Sequence, residues 1–471
     1  MSPIVILFIG MIIVLGGILV VRLHAVLALL LGAVVVGLLT RKELLVQYVS
    51  SKKFSQQQIT SFLDQSIGER VAIGFGDTCA KIGLLIVFAS IIGKCMLDSG
   101  AAERIVRSLL NVFGEKKAPI SFMASGFTLG IPIFFDTVFF LMVPLARAMG
   151  VRNPKSYALY IMAIIAGATI THSLVPPTPG PLFAAGALGV SIGFMIIMGT
   201  IIGLICSSVG LIYAYWLNKR QNIPLRNTAD TSIEELKEWT SKDTKQLPSF
   251  LMSILPILLP VILIAGETIT NSMNEVPMPV YEFFKLTGDP TIALFLATAI
   301  ALFVLIKQFD YKIKELQKPV EQAIYTAGTI ILITASGGAF GAMLQQTAIG
   351  NWLAQHASGF KLAVLPLAFI ITAVIRTAQG SATVAMITAV GMLTVFNTPG
   401  TLSYHPVYLA IVVGCGSKIF QWMNDSGFWV ISKMSGFTEK ETIRNSSIMM
   451  LIMGITGLLT CMLFAKLFPL I

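Results

Sequence analysis

Runs of about twenty residues with almost no charge recur along this chain, the length a helix needs to cross a bilayer core. They lie at 4–21, 23–40, 71–97, 156–190, 191–217, 249–268, 290–306, 322–347, 404–432 and 446–468. In lipid, only helices and closed barrels satisfy their own backbone groups. The runs predict an all-α polytopic membrane protein. Composition agrees: 55% of the 471 residues are hydrophobic and 12% charged, about half the charge a soluble protein carries. That excludes a soluble enzyme, a disordered tail and a nucleic-acid-binding module. The formal net charge of +10 then reads as basic cytoplasmic loops rather than a nucleic-acid footprint. The N-terminal run has no basic stretch before it and no clear cleavage site, so it is expected to be a retained span. Five cysteines without CxxC spacing are expected to be reduced packing residues.

Two further apolar runs, 118–146 and 362–395, are interrupted near their middles. The first holds Gly126, Gly130, Pro132 and Asp136; the second holds Arg376, Gln379, Gly380, Ser381 and Thr383. A straight span would bury those groups at mid-membrane, so both runs are expected to be re-entrant hairpins. Flanking Lys116, Lys117, Arg147, Arg152 and Lys155 place the mouth of the first hairpin in the cytoplasm, and the scarcity of Lys and Arg after the second places its mouth outside. The basic segments 218–248, 307–318 and 433–445 fall inside on the same count. Residues 41–70 disagree: they are expected outside, yet carry Arg41, Lys42, Lys52, Lys53 and Arg70. The count gives two halves of opposite orientation, 1–217 and 249–471, each with one hairpin, joined by a cytoplasmic linker at 218–248 with a short helical run near Glu234. Inverted repeats of this kind are a transporter architecture. Short echoes support it: Ala89-Ser90 matches Ala335-Ser336, Thr137-Val138 matches Thr383-Val384, and Thr178-Pro179-Gly180 falls on Asn424-Asp425-Ser426.

Four breaks at membrane depth carry the candidate chemistry. They are Gly130–Thr137, Thr171–Pro181, Arg376–Thr383 and Asn424–Gly427. The second contains Pro176, Pro177, Pro179 and Pro181, which cannot continue a helix, so that span must unwind. The fourth unwinds the span at 404–432. Half-helix starts present free amides and partial positive charge, which suit an anionic group. Asp136 and Asp425 are either proton carriers or hydroxyl acceptors, or else helix caps and partners for Arg376 or Lys418. His172 is a proton relay or a neutral hydrogen-bonded residue. Arg376 meets a substrate carboxylate or forms a structural ion pair. Thr137, Ser381 and Thr383 bind hydroxyls or cap helices; Gly180, Gly380 and Gly427 permit turns. Gly199–Gly203 and Gly337–Gly341 are spaced for close helix packing. The chain lacks a P-loop and an HExxH motif. Transport would therefore draw on a gradient, without cofactor or metal.

Five stretches carry a family resemblance: IGLLIVFASIIGKCMLDSGAAERI at 82–105, GIPIFFDTVFFLMVPLA at 130–146, THSLVPPTPGPLFAAGALG at 171–189, RTAQGSATVA at 376–385 and GCGSKIFQWMNDSGFW at 414–429. Through them the chain resembles the gluconate permease (GntP) family of the ion transporter superfamily. The resemblance implies proton-coupled uptake of gluconate or a related sugar acid across a bacterial inner membrane. By analogy with the superfamily it also implies a homodimer whose hairpin-bearing domain moves against a static scaffold. Carried onto matching positions, it points to Asp136, Thr137, Thr178, Gly180, Gln379, Gly380, Ser381, Thr383, Asn424, Asp425 and Ser426. The partners expected are a small anionic sugar acid, protons and membrane lipid, with no nucleic acid. The competing readings are a D-serine:proton symporter of the same fold, a passive channel, and a non-transport membrane subunit or intramembrane enzyme.

Overall fold

The computed structural model describes residues 1–50, 55–221, 223–226, 247–273, 276–309, 313–349, 363–398, 401–422 and 425–470; the side chains of Leu19, Glu115, Ser272, Ile313, Lys314, Ala378, Gln379 and Ser426 stand outside that description. Most of the expected linker, with its helical run near Glu234, and Asn424 lie outside the described residues.

Helices occupy all ten apolar runs. In the first half these are α1 (Pro3–Leu19), α2 (Ala25–Leu39), α3 (Lys42–Ser50), α4 (Gln56–Leu63), α5 (Ile67–Asp98), α6 (Ala101–Phe113), α7 (Ala118–Leu129), α8 (Phe135–Arg152), α9 (Tyr157–Leu174), α10 (Pro179–Ala187) and α11 (Ile192–Asn218). In the second they are α12 (Phe250–Ser272), α13 (Met278–Thr287), α14 (Pro290–Phe309), α15 (Gln317–Gln345), α16 (Val364–Gln379), α17 (Ala382–Leu393), α18 (Val407–Gly416), α19 (Ser426–Ser435), α20 (Glu439–Thr442) and α21 (Ile448–Leu467). Among the described residues, seven helical segments are long and apolar enough to cross a membrane. The chain is a multi-pass membrane protein.

The hairpins and unwound spans are where the sequence places them. α7 and α8 are joined by a turn at residues 130–134, and α16 and α17 meet at Gly380, whose φ of 76° suits a residue without a Cβ. The proline cluster separates α9 from α10, and residues 417–425 separate α18 from α19. Helix starts at Phe135, Pro179 and Ile192 recur at one fixed offset, at Ala382, Ser426 and Glu439. Packing repeats too. α1 lies on α2 as α12 lies on α14; α2 lies on α15 as α14 lies on α5. α7 packs on α9 as α16 packs on α18, and α9 on α11 as α18 on α21. The equivalent helices α5 and α15 cross each other. Gly74 faces Ala342, while Thr78, one turn further on, faces Gly338, one turn earlier. The pair therefore runs antiparallel, as an inverted repeat requires.

Glycines set the closeness of these crossings. A Cβ at Gly338 would stand 1.8 Å from Thr78 Oγ1, and one at Gly167 would stand 2.1 Å from the Met123 carbonyl. Every residue of α9 is buried, so this helix runs through the core rather than along lipid. The basic segment 41–70 is neither a span nor a plain loop. α3 bends 99° away from α2, and α4 and α5 begin with capping boxes at Ser55/Gln58 and Ser66/Glu69. Of its basic residues, Arg41 and Lys42 are exposed beside the bend, whereas Arg70 is buried and donates to Gln346 Oε1 at 2.9 Å; Lys52 and Lys53 lie outside the described residues. Beyond α3 and α4, the helices α6, α13 and α20 were not expected either. In α6, Ala101, Ala102, Ile105 and Val106 are buried while Arg107 pairs with Glu103 at 2.7 Å on the opposite face; that periodicity was readable in the sequence.

Candidate functional site

A central cavity of about 280 Å³ opens where three of the four breaks meet. The turn before α8 contributes Phe134, Phe135 and Asp136; the start of α17 contributes Gly380, Ser381, Ala382 and Thr383. The break after α18 contributes Lys418, Gln421, Asp425 and Gly427. α9 adds Thr169 and His172, α16 adds Arg376, and α15 closes the wall with Ile330 and Ile333. The volume sits at the small end of solute pockets.

The helix starts here are capped in ways the local sequence dictates. Ser381 Oγ accepts from the Val384 amide at 3.4 Å, and Asp425 Oδ1 accepts from the Gly427 amide at 2.8 Å. Asp425 also pairs with Arg376 through Oδ2 and Nη2, both side chains being buried. Arg376 Nε donates to the Ser417 carbonyl at 3.0 Å, while its Nη1 is buried without a hydrogen-bond partner among the described residues. The Trp422 indole N–H donates to the Thr377 carbonyl at 2.8 Å, tying the break to the second hairpin. Gln421 is braced from behind: its backbone carbonyl accepts from Ser447 Oγ, in a π-helical turn at Ile443–Ser447. Such turns are frequent at functional sites.

Two carboxylates converge on Gly427. A Cβ there would stand 3.3 Å from Asp136 Oδ1, 3.4 Å from Asp425 Oδ1 and 2.8 Å from Gln421 Nε2. Asp136 has no hydrogen-bond partner among the described residues, and Lys418 has no ion pair there, although Lys418 is only 5% exposed. The His172 ring lies tilted against that of Phe134, centroids 5.5 Å apart, and its Nδ1 is buried without a partner among the described residues. The cavity thus holds one satisfied ion pair, one free cation and one free carboxylate among the described residues.

The structure brings Asp136, His172, Arg376, Gly380, Ser381, Thr383 and Asp425 to this cavity. It does not bring Thr137, Thr178 or Gly180. Thr137 lies one residue beyond Asp136 and so points away, into a neighbouring cavity. Thr178 Oγ1 donates to its own Val175 carbonyl at 2.8 Å, and Gly180 is packed so tightly that a Cβ would meet Met386 Sδ at 2.7 Å. The start of α10 is therefore a packing joint, not a wall of the cavity. Gln379 ends α16 and Ser426 opens α19. Lys418 was expected only as an ion-pair partner for Asp136 or Asp425; its position in the middle of a break at membrane depth was the available signal. Gln421 lies in the same break and carried the same signal, whereas Thr169 carried none, since it sits in otherwise ordinary apolar sequence. The cysteines are not scattered in space: Cys206 and Cys415 both approach Gly457, whose Cβ would stand 3.2 and 2.2 Å from their sulfurs.

The profile of the GntP family permeases matches residues 59–467. The chain belongs to the GntP permease family. The chain is 30% identical over 469 residues to the "High-affinity gluconate transporter" of Escherichia coli (strain K12), with 98% of this chain and 99% of the relative covered. It is 32% identical over 430 residues to an "Uncharacterized permease" of Haemophilus influenzae, covering 89% and 83% respectively. The crystal structure of the Alcanivorax borkumensis YdaH transporter, described as having an unusual topology, superposes with a TM-score of 0.60 at 14% identity. It covers 87% of this chain and 91% of that one. The chain thus shares its fold with a transporter of very different sequence.

Proposed function

We propose that this permease is a secondary active transporter that takes up gluconate or a related sugar acid together with a proton, across a bacterial inner membrane. The observation that carries the reading is the couple of Asp136 and Lys418, unpartnered among the described residues, in a cavity walled by the starts of α8 and α17. Arg376 and Asp425 neutralise one another. With Asp136 ionised, an arriving carboxylate meets a site whose remaining charges already cancel. With Asp136 protonated, it meets the Lys418 ammonium, the free Nη1 of Arg376 and the amides of two helix starts. The anion and the proton each raise the affinity for the other, so they bind and leave together. Ser381, Thr383, Gln421 and His172 supply the polar groups for hydroxyls along the sugar chain. The relative named a gluconate transporter supports this choice of solute.

One anion with one proton is electroneutral. Uptake into proteoliposomes should follow an imposed pH gradient and be indifferent to a membrane potential of either sign. Unlabelled gluconate should compete and D-serine should not. Asp136→Asn should abolish accumulation while preserving gluconate exchange, because exchange need not discharge the proton. Equal loss of both activities would remove Asp136 from the coupling role. For the movement itself, the hairpins and broken spans (α7–α10 and α16–α19) would travel as one body past α1, α2, α12, α14 and the α5–α15 crossing. This is an elevator motion, with a homodimer as its fixed frame. Cysteines at 152 and 400 should then label from opposite sides of the membrane.

A further inference from the structure

The central cavity does not end blindly. Beside it lies a cavity of about 240 Å³ between α5, α15 and the turn of the first hairpin, lined by residues including Gly93, Lys94, Pro132, Ile133, Thr137 and Thr326. Beyond that is a wider space of about 960 Å³ at the ends of α5 and α15, where Lys94, Asp98, Lys318 and Glu321 stand. The two outer spaces share Lys94 and Gln322. The middle and central cavities share one lining residue, Phe134. A single face of α15 runs past all three: Gln322 and Ala323, then Thr326, then Ile330 and Ile333, at the three- and four-residue steps of one helical stripe.

We propose that the Phe134 ring is the gate between the solute's central site and an aqueous vestibule along α15, and so governs the rate at which solute leaves. The ring sits on the non-helical residue that opens α8, with φ −62° and ψ 144°, so small backbone changes in the 130–134 turn swing it. It is half-buried between two empty spaces, with His172 against one side, rather than locked in a core. The turn that carries it rests on Gly93, where a Cβ would stand 3.2 Å from the Pro132 carbonyl. Lys94, held at 2.9 Å by Asp98, lines both outer spaces and gives a departing carboxylate its next cation. This gate rests on the central cavity being the solute site, but its test does not need transport.

The test is thiol labelling of the full chain purified in detergent, with Cys79→Ser as background because the other four native cysteines are buried. A reporter at Thr137→Cys samples the vestibule, and one at Thr383→Cys samples the central cavity. A charged methanethiosulfonate reagent should modify Thr137→Cys fast and Thr383→Cys slowly. Adding Phe134→Ala should speed the Thr383→Cys reaction by about tenfold or more, since access scales with the open fraction of a gate. Phe134→Tyr should leave it slow, and Thr137→Cys should react at one rate throughout. Unchanged labelling of Thr383→Cys by Phe134→Ala would overturn the proposal. So would equal rates at the two reporters in the Phe134 chain, or a parallel rise at Thr137→Cys, which would mark general loosening. In proteoliposomes, Phe134→Ala should speed gluconate exit. If no variant accumulates gluconate while the labelling result holds, the solute assignment fails and the gate stands.

Discussion

Asp425 performs two tasks with two oxygens, capping α19 through the Gly427 amide and neutralising Arg376. Removing one partner of a buried pair leaves an uncompensated charge, at a cost of about 3–5 kcal/mol. Asp425→Ala should therefore lower the melting temperature of the purified protein steeply. The double variant Arg376→Met with Asp425→Asn should recover most of the loss, because it removes both charges and keeps a capping oxygen. If single and double variants melt alike, the pair has no structural role and Arg376 is free for solute. Gly427 is constrained by space rather than by dihedral angle. Gly427→Ala should insert its methyl between Asp136 and Gln421 and abolish gluconate uptake while the protein still reaches the membrane, checked by uptake against expression level. Asp136, Asp425 and Arg376 were legible in the sequence because ionisable groups at membrane depth stand out. The sequence could not say that two of the three satisfy each other, since that depends on a turn at Gly380 meeting a break far along the chain.

At the scale of the element, the hairpins and broken helices were readable from glycine, proline and polar residues interrupting apolar runs. Their hand-to-hand packing was not. The spacing at Gly199–Gly203 and Gly337–Gly341 signals closeness without naming a partner, and the partners turn out to be the end of α9 and the second hairpin: Cβ atoms would stand 2.2 Å from the Leu174 carbonyl at Gly199 and 2.7 Å from Ile387 at Gly337. What a glycine faces decides whether its replacement can be rescued. At Gly338 the obstacle is the Thr78 side chain, so Gly338→Ala should destabilise the α5–α15 crossing and Thr78→Gly in the same chain should restore part of the melting temperature. At Gly167 the obstacle is the main chain of α7, and no second-site change of a side chain should rescue Gly167→Ala. A rescue at Gly167 as good as at Gly338 would contradict the crossing geometry. Outside the membrane, Arg226 holds Glu441 at 2.6 and 2.9 Å and the Gly436 carbonyl at 2.9 Å. That hydrogen bond, with the Thr438 cap, keeps the Glu441 carboxyl below the usual glutamate range. A depressed carboxyl contributes stability that is present above about pH 4.3 and lost as pH falls through its lower folded value. Arg226→Ala should lower the melting temperature in the neutral region and flatten the acid limb of the profile, the two chains converging at low pH.

For the whole molecule, the distribution of Lys and Arg pointed to inverted halves; the constant offset between helix starts agrees with a repeat, and the antiparallel crossing of α5 and α15 is the arrangement an inverted one requires. In the basic stretch 41–70, which disagreed with the charge count, that count could not see a helix folding sideways by 99° at the end of α2. Nor could it see that the two halves are interlocked rather than side by side. α2 leans on α15 and α14 on α5, so each half completes the other's wall. This has a consequence for biogenesis. When the ribosome has delivered only the first half, the small-residue surface of α5 around Gly74 and Thr78 has no protein to lie against. An N-terminal fragment ending near residue 226 should be degraded in cells when made alone, yet survive and regain gluconate uptake when the remainder is supplied from a second plasmid. The clasp thereby acts as quality control, admitting to the membrane's lasting population only chains, or pairs of fragments, in which both arms have arrived.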